Sequence, residues 1–144
     1  MTAQKIAIAA DHGGFGLKAS VVAAIREAGF DPVDLGTDSE ESVDYPDFAE
    51  KLVSAMRDGD ADRGVLICGT GIGISIAANR HPGIRAALCY DEETATLARQ
   101  HNDANVLCLG GRKTGGDMAR AIVKIFLSTP FEGGRHARRV AKLG

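Results

Sequence analysis

The chain has 144 residues, 44% of them hydrophobic and 25% charged, with a formal net charge of −2 at pH 7. Residues 1–144 therefore suit one domain that buries its own core without help from disulfides or metals. Near-balanced charge, no tryptophan and 5% aromatic content argue against a basic, stacking surface, so no nucleic-acid partner is expected.

Met1-Thr2-Ala3-Gln4-Lys5 leads straight into an apolar run over 5–10, without the charged, apolar and cleavage-site succession of a secretory signal. That run predicts a buried strand. Over 15–29, Leu17, Val21, Val22 and Ile25 recur at helical spacing, and Gly29 supplies a stop. Residues 31–35 predict a second strand, and the polar, acidic stretch 36–46 a loop. Pro46 suits the first turn of a helix reaching Met56, with Phe48, Leu52 and Met56 on one face. Residues 64–68 read as a third strand, 69–73 as a turn, and 74–79 as the start of a helix. A fourth strand over 84–90 is followed by Asp91, which caps a helix ending near His101. The fifth strand, 106–109, is closed by Gly110-Gly111; a helix over 117–127 and a basic, helical tail from Glu132 follow. No run approaches the roughly 20 apolar residues that span a bilayer, so no membrane partner is expected.

Five strands alternating with helices predict an α/β fold whose parallel sheet is covered on both faces. Ligands of such folds bind beyond the carboxyl ends of the strands. Asp11-His12-Gly13-Gly14 follows the first strand, Cys68-Gly69-Thr70-Gly71-Ile72-Gly73 the third, and Gly110-Gly111-Arg112 the fifth. His101-Asn102-Asp103 ends the fourth helix, and all four groups are expected at the one edge.

Gly69, Gly71 and Gly73 at a strand-to-helix turn leave amides open for a phosphate or a developing oxyanion. The alternative is a tight turn with no ligand. No Gly-Lys-Ser/Thr follows, and Ile74 stands where a dinucleotide fingerprint has its third glycine. Cys68 is either a small buried residue or a thiolate favoured by the helix N-terminus. Cys89 and Cys108 lie inside apolar strands and read as core. Three widely spaced cysteines with no CxxC argue against a disulfide framework or a zinc site, and for a reducing, cytoplasmic setting. Asp11 and His12 suit acid–base work or phosphate contact, or Asp11 caps the next helix. His101 either polarises a substrate oxygen or satisfies helix-end carbonyls. Arg135 and Arg139, four apart on a helix, suit phosphate recognition or a solvated basic face.

Ala10-Asp11-His12-Gly13-Gly14, Asp44-Tyr45-Pro46, Ile67-Cys68-Gly69-Thr70-Gly71-Ile72-Gly73-Ile74-Ser75, Arg99-Gln100-His101-Asn102-Asp103 and Glu132-Gly133-Gly134-Arg135-His136 occur in order over nearly the whole chain. Together they resemble the type B ribose-5-phosphate isomerase family, which includes allose- and galactose-6-phosphate isomerases. The resemblance implies a Rossmann-like three-layer α/β/α sandwich with five parallel strands. It implies a homodimer, or a dimer of dimers, with active sites shared between subunits and the tail 132–144 reaching the partner. It implies neither a metal nor an organic cofactor. By the same resemblance, Cys68 is the base that moves a proton between carbons 1 and 2 of an open-chain sugar phosphate. Amides of Gly69, Gly71, Ile72 and Gly73 would stabilise a cis-enediolate, Thr70 and His101 would assist ring opening, and Asp11 would shuttle protons between the oxygens. Tyr45 and Asn102 would line the sugar, and His12, Arg135 and Arg139 would hold the phosphate, with Arg112 and His136 beside them. Members without the cysteine use a glutamate further along the loop; Ser75 occupies that position here and counts among the substrate-lining residues. The expected reaction interconverts ribose 5-phosphate and ribulose 5-phosphate. Alternatives are allose 6-phosphate, galactose 6-phosphate or a tetrulose 4-phosphate, or a non-catalytic module that binds a phosphometabolite.

Overall fold

In the computed structural model, which describes residues 4–144, the apolar runs become β1 (Lys5–Ala10), β2 (Asp31–Asp34), β3 (Arg63–Cys68), β4 (Ala86–Leu88) and β5 (Val106–Gly110). The lead-in Met1-Thr2-Ala3 lies outside the described residues. The strands form one parallel sheet in the order β2-β1-β3-β5-β4. Helices α1 (Phe15–Glu27), α2 (Tyr45–Arg57), α3 (Ile72–Asn79), α4 (Glu92–Asn102) and α5 (Gly116–Ser128) connect and follow them, and α6 (Arg135–Ala141) ends the fold.

Side chains of a strand alternate between faces, so the central strands feed two cores. Ile6, Ile8, Val65, Ile67, Leu107 and Leu109 meet α1, α4 and α5 on one face. Ala7, Ala9, Leu66, Cys68, Val106 and Cys108 meet α2 and α3 on the other. This double burial explains why these strands are continuous apolar runs rather than alternating ones. Cys89 and Cys108 are buried, as expected. Phe126 of α5 is fully buried, and such a side chain contributes about 3 kcal/mol by burial alone.

Element ends differ from expectation for local reasons. α3 starts at Ile72 rather than 74, because Gly71 at φ 81° swings the chain into the helix and Thr70 Oγ1 accepts the Ile72 N–H at 3.1 Å. β4 is three residues long rather than the expected 84–90. The Asn79 side chain accepts from Ala86 N–H at 2.8 Å and donates to Ala86 O at 2.9 Å, and Asn105 Oδ1 accepts from Arg85 N–H at 2.8 Å. Side-chain amides thus replace ladder bonds at that strand's start. Asp91 does cap α4, with Oδ1 accepting the Thr94 N–H at 2.8 Å.

One expectation is corrected outright. His101-Asn102-Asp103 does not share an edge with Cys68. In a parallel sheet each helix must carry the chain back to where the next strand begins. α4 therefore ends near the amino end of β5, where Val106 pairs with Gly64, whereas Cys68 pairs with Gly110 at the carboxyl ends.

Candidate active site

β1 and β3 are neighbours, yet the chain leaves β1 for β2 on its other side. Their carboxyl ends thus flank a topological switch point, where open sheets leave a crevice. Asp11 follows β1 and Cys68 ends β3, which puts a carboxylate and a thiol at its mouth. The Asp11 N–H donates to Ile67 O at 3.1 Å, extending the ladder by one bond. Asp11 Oδ1 accepts the Gly14 N–H at 3.1 Å, so this residue both steadies the start of α1 and lines the crevice.

The crevice is a cleft of about 410 Å³ lined by Asp11, Tyr45, Cys68, Gly69, Thr70, Ile72, Gly73 and Arg112. Its floor depends on glycine. A Cβ on Gly69 would stand 3.0 Å from Arg112 Nη1, and one on Gly13 would stand 2.9 Å from Gly69 N. The loop after β5 is stitched to the same floor: Gly111 N–H donates to Cys68 O at 2.8 Å and Arg112 N–H to Gly69 O at 2.9 Å. A guanidinium is thereby held against the turn beside the thiol.

Cys68 is 4% exposed but borders the cleft, and its Sγ accepts the Gly71 N–H at 3.1 Å. A charge-assisted bond of this kind suits a sulfur that carries negative charge during a reaction. Burial pushes the Cys89 thiol up to about 11, and burial, followed by the neighbouring Cys68 and Cys89, raises that of Cys108. Of the three sulfurs, Cys68 is the one whose residue lines this cleft.

Other expected site residues fall elsewhere. His12 follows Asp11, and its Nδ1 accepts the Val43 N–H at 3.1 Å, which leaves Nε2 for a ligand. The loop that supplies Val43 is anchored by buried Lys18, whose Nζ donates to Asp34 Oδ1 at 3.0 Å and also to Thr37 O. Ser75 Oγ donates to Ile72 O at 2.6 Å, so its hydroxyl is turned into its own helix and does not line the cleft.

At the opposite edge, the His101 and His136 rings stack with centroids 4.3 Å apart and planes 13° from parallel. Glu132 Oε1 lies 3.6 Å from His101 Nε2 and 3.8 Å from His136 Nε2. Burial, the neighbouring His101 and Arg135 all hold His136 below the usual imidazole range. These three residues bring ligand atoms within 4.8 Å of one another. With the rings nearly parallel, however, the nitrogen lone pairs run side by side instead of converging on one ion. Asn102 borders a second cavity of about 420 Å³ with Asn79, Arg85 and Leu143, while Arg135 and Arg139 stand exposed on α6. One chain therefore divides the expected constellation into a thiol half and a histidine–arginine half.

One residue that braces the glycine turn has no signal in the sequence. Tyr90, just past β4, donates from its hydroxyl to Thr70 O at 2.6 Å, binding the edge strand to the glycine turn. Nothing in its local sequence marks it.

Comparisons agree with this architecture. The ribose/galactose isomerase family profile matches residues 6–143. The chain is 50% identical to Ribose-5-phosphate isomerase B of Escherichia coli K12 over 137 residues, covering 95% of this chain and 92% of that protein. It superposes on the type B ribose 5-phosphate isomerase of Trypanosoma brucei with a TM-score of 0.95 at 55% identity, covering 99% of this chain and 97% of that one. A ribose 5-phosphate isomerase from Thermotoga maritima gives 0.93 at 56% identity, with 97% of each chain covered.

Proposed function

The chain belongs to the ribose/galactose isomerase family and is an aldose–ketose isomerase, and from that premise we propose that it interconverts ribose 5-phosphate and ribulose 5-phosphate with Cys68 as its base. The observation that carries the assignment of the base is the placement of Cys68 Sγ on a cleft at the switch point, between an amide-bearing turn and the Arg112 guanidinium.

In the proposed reaction the Cys68 thiolate takes the proton from C2 of the open-chain aldose, and the electron pair moves toward O1. The resulting enediolate needs donors aimed at its oxygens. Gly71 N–H is engaged by Sγ and Ile72 N–H by Thr70 Oγ1, so the amides that remain are those of Gly69 and Thr70, with Gly73 in the first turn of α3. Asp11 passes a proton from O2 to O1, and the Cys68 thiol returns its proton to C1. Tyr45 walls the sugar, and Arg112 offers charge near the reacting oxygens.

Apart from His12, which follows Asp11 beside the cleft, the phosphate grip is proposed to come from a second copy. His12, Arg135 and Arg139 would hold the phosphate, with His136 beside them, while His101 and Asn102 would reach the ring oxygen and the sugar. Three of these residues, Arg135, His136 and Arg139, lie in the last helix, and His101 and Asn102 sit at the far edge of their own sheet. Exposed Ile72 and Ile76, one turn apart on α3, and exposed Tyr45 and Tyr90 give a second copy an apolar surface near the cleft. A cytoplasmic setting fits the three free thiols, and no helix among the described residues is long and apolar enough to cross a membrane.

The same chemistry on galactose 6-phosphate is the second reading, favoured by the family's own description. The deciding experiment is turnover on ribose 5-phosphate against allose 6-phosphate, galactose 6-phosphate and a four-carbon ketose phosphate, each with and without chelator. Preference for a six-carbon substrate would overturn the ribose assignment. Loss of turnover with chelator would overturn a mechanism run on side chains alone.

A further inference from the structure

We propose that Tyr90 is a positioning residue for the base: its hydroxyl holds the Thr70–Gly71 peptide so that the Gly71 N–H stays aimed at the Cys68 sulfur. This role rests on the reading of Cys68 as the base.

Two hydrogen bonds meet on one peptide group. Tyr90 donates to Thr70 O at 2.6 Å, and Gly71 N–H donates to Cys68 Sγ at 3.1 Å. The carbonyl and the N–H of a trans peptide lie in one plane and point in opposite directions. Whatever fixes the carbonyl therefore fixes the N–H. An acceptor bond on the carbonyl also polarises the amide and makes its N–H a better donor.

The restraint is needed because residue 71 must be glycine. It has φ 81°, and a Cβ there would lie 2.6 Å from Leu88 Cδ1 and 2.9 Å from the Leu109 backbone. The same glycine lets the preceding peptide plane turn over, as between type I and type II turns, at little steric cost. A flipped plane would present a carbonyl to the sulfur instead of an N–H, and would oppose negative charge there. Tyr90 reaches in from just past the edge strand β4 and selects one orientation. Its ring is 41% exposed, so loss of the hydroxyl alone leaves the core intact.

The titratable and charged groups facing Cys68 are Asp11 just after β1, Tyr45 from α2, Cys108 from β5 and Arg112 from the following loop. Tyr90→Phe alters none of them. A change in Cys68 behaviour in that variant reports the peptide link.

The test is the pH dependence of Cys68 alkylation by iodoacetamide, with the modified peptide identified by mass, in wild type and Tyr90→Phe. All three thiols are buried, and of them Cys68 lines the cleft, which leaves it as the responsive thiol. The midpoint is expected to rise by roughly half to one pH unit in the variant. The acidic limb of kcat/KM should move with it, while KM for ribose 5-phosphate stays within about twofold, since a positioning loss falls on the chemical step. Superimposable alkylation profiles would overturn the role of Tyr90. The same measurements on Tyr90→Ala guard against a folding defect in the first variant. In wild type, the Gly71 amide resonance must titrate together with Cys68, and an amide indifferent to that titration also defeats the proposal. Failure of the base reading shows separately, as turnover retained by Cys68→Ala; alkylation still tests the peptide link in that case.

Discussion

Gly73 lies directly beneath the Tyr45 ring: a Cβ on Gly73 would stand 2.6 Å from Tyr45 Cζ and 2.9 Å from its hydroxyl oxygen. α3 begins one residue earlier and α2 begins at Tyr45, so this contact sets how closely the two helices crowd the cleft. Gly73→Ala would push the ring into the space proposed for the sugar. The expected result is a loss of kcat/KM on the order of 10²-fold with an unchanged circular dichroism spectrum. Wild-type kinetics in Gly73→Ala would mean that the ring does not wall the substrate.

Removing the sulfur should remove the chemistry and spare the binding. Cys68→Ala is expected to lose about 10²–10⁴-fold in kcat, the range for a positioned base. Ribose 5-phosphate should still bind by calorimetry within a few-fold of wild type. Near-normal turnover would eliminate Cys68 as the base.

The proposed sharing of the site between copies predicts complementation. Cys68→Ala damages the thiol half, and Arg135→Ala damages the phosphate half. Each variant alone should be nearly inactive. Unfolding and refolding the two as a mixture should restore about a quarter of wild-type activity, because half the dimers are hybrids and each hybrid has one intact site. No recovery in a mixture shown to contain hybrids would place both halves in one chain's own site.

The cap on α4 predicts a pH-dependent stability. Hydrogen bonds from the Thr94 backbone and then its side chain hold the Asp91 carboxyl below the usual carboxylate range. A depressed carboxyl stabilises the fold above its unfolded value, near 3.9, and that contribution disappears as pH falls through the folded value. Asp91→Ala should therefore lower Tm at pH 7, and the gap to wild type should narrow below about pH 4. A gap that is the same at pH 3 and pH 7 would show that the charge contributes nothing to the cap.

Legibility from sequence followed the physics of burial. β1, β3 and β5 were plain because both of their faces are covered, which forces unbroken apolar runs. The turn at Gly69–Gly71–Gly73 was legible because each glycine answers a close approach that side chains forbid. β4 was overread, since its first ladder bonds go to the Asn79 and Asn105 side chains and composition does not show that substitution. The edge occupied by His101 is set by the return direction of α4, which the parallel sheet dictates and local motifs do not show. Ser75 turns its hydroxyl back to Ile72, a choice made by local geometry. Tyr90 could not be found at all, because its partner is 20 residues away and the contact exists only in three dimensions.

The sheet carries its own terminators. Along β2 the backbone includes Pro32, which has no N–H to offer, and along β4 both polar groups of Ala86 are occupied by one asparagine. At these places each border offers fewer free main-chain groups to a further strand. The second copy proposed above is therefore expected to dock through helix surfaces rather than by strand addition, and a concentrated solution should resist growing fibres seeded at either border.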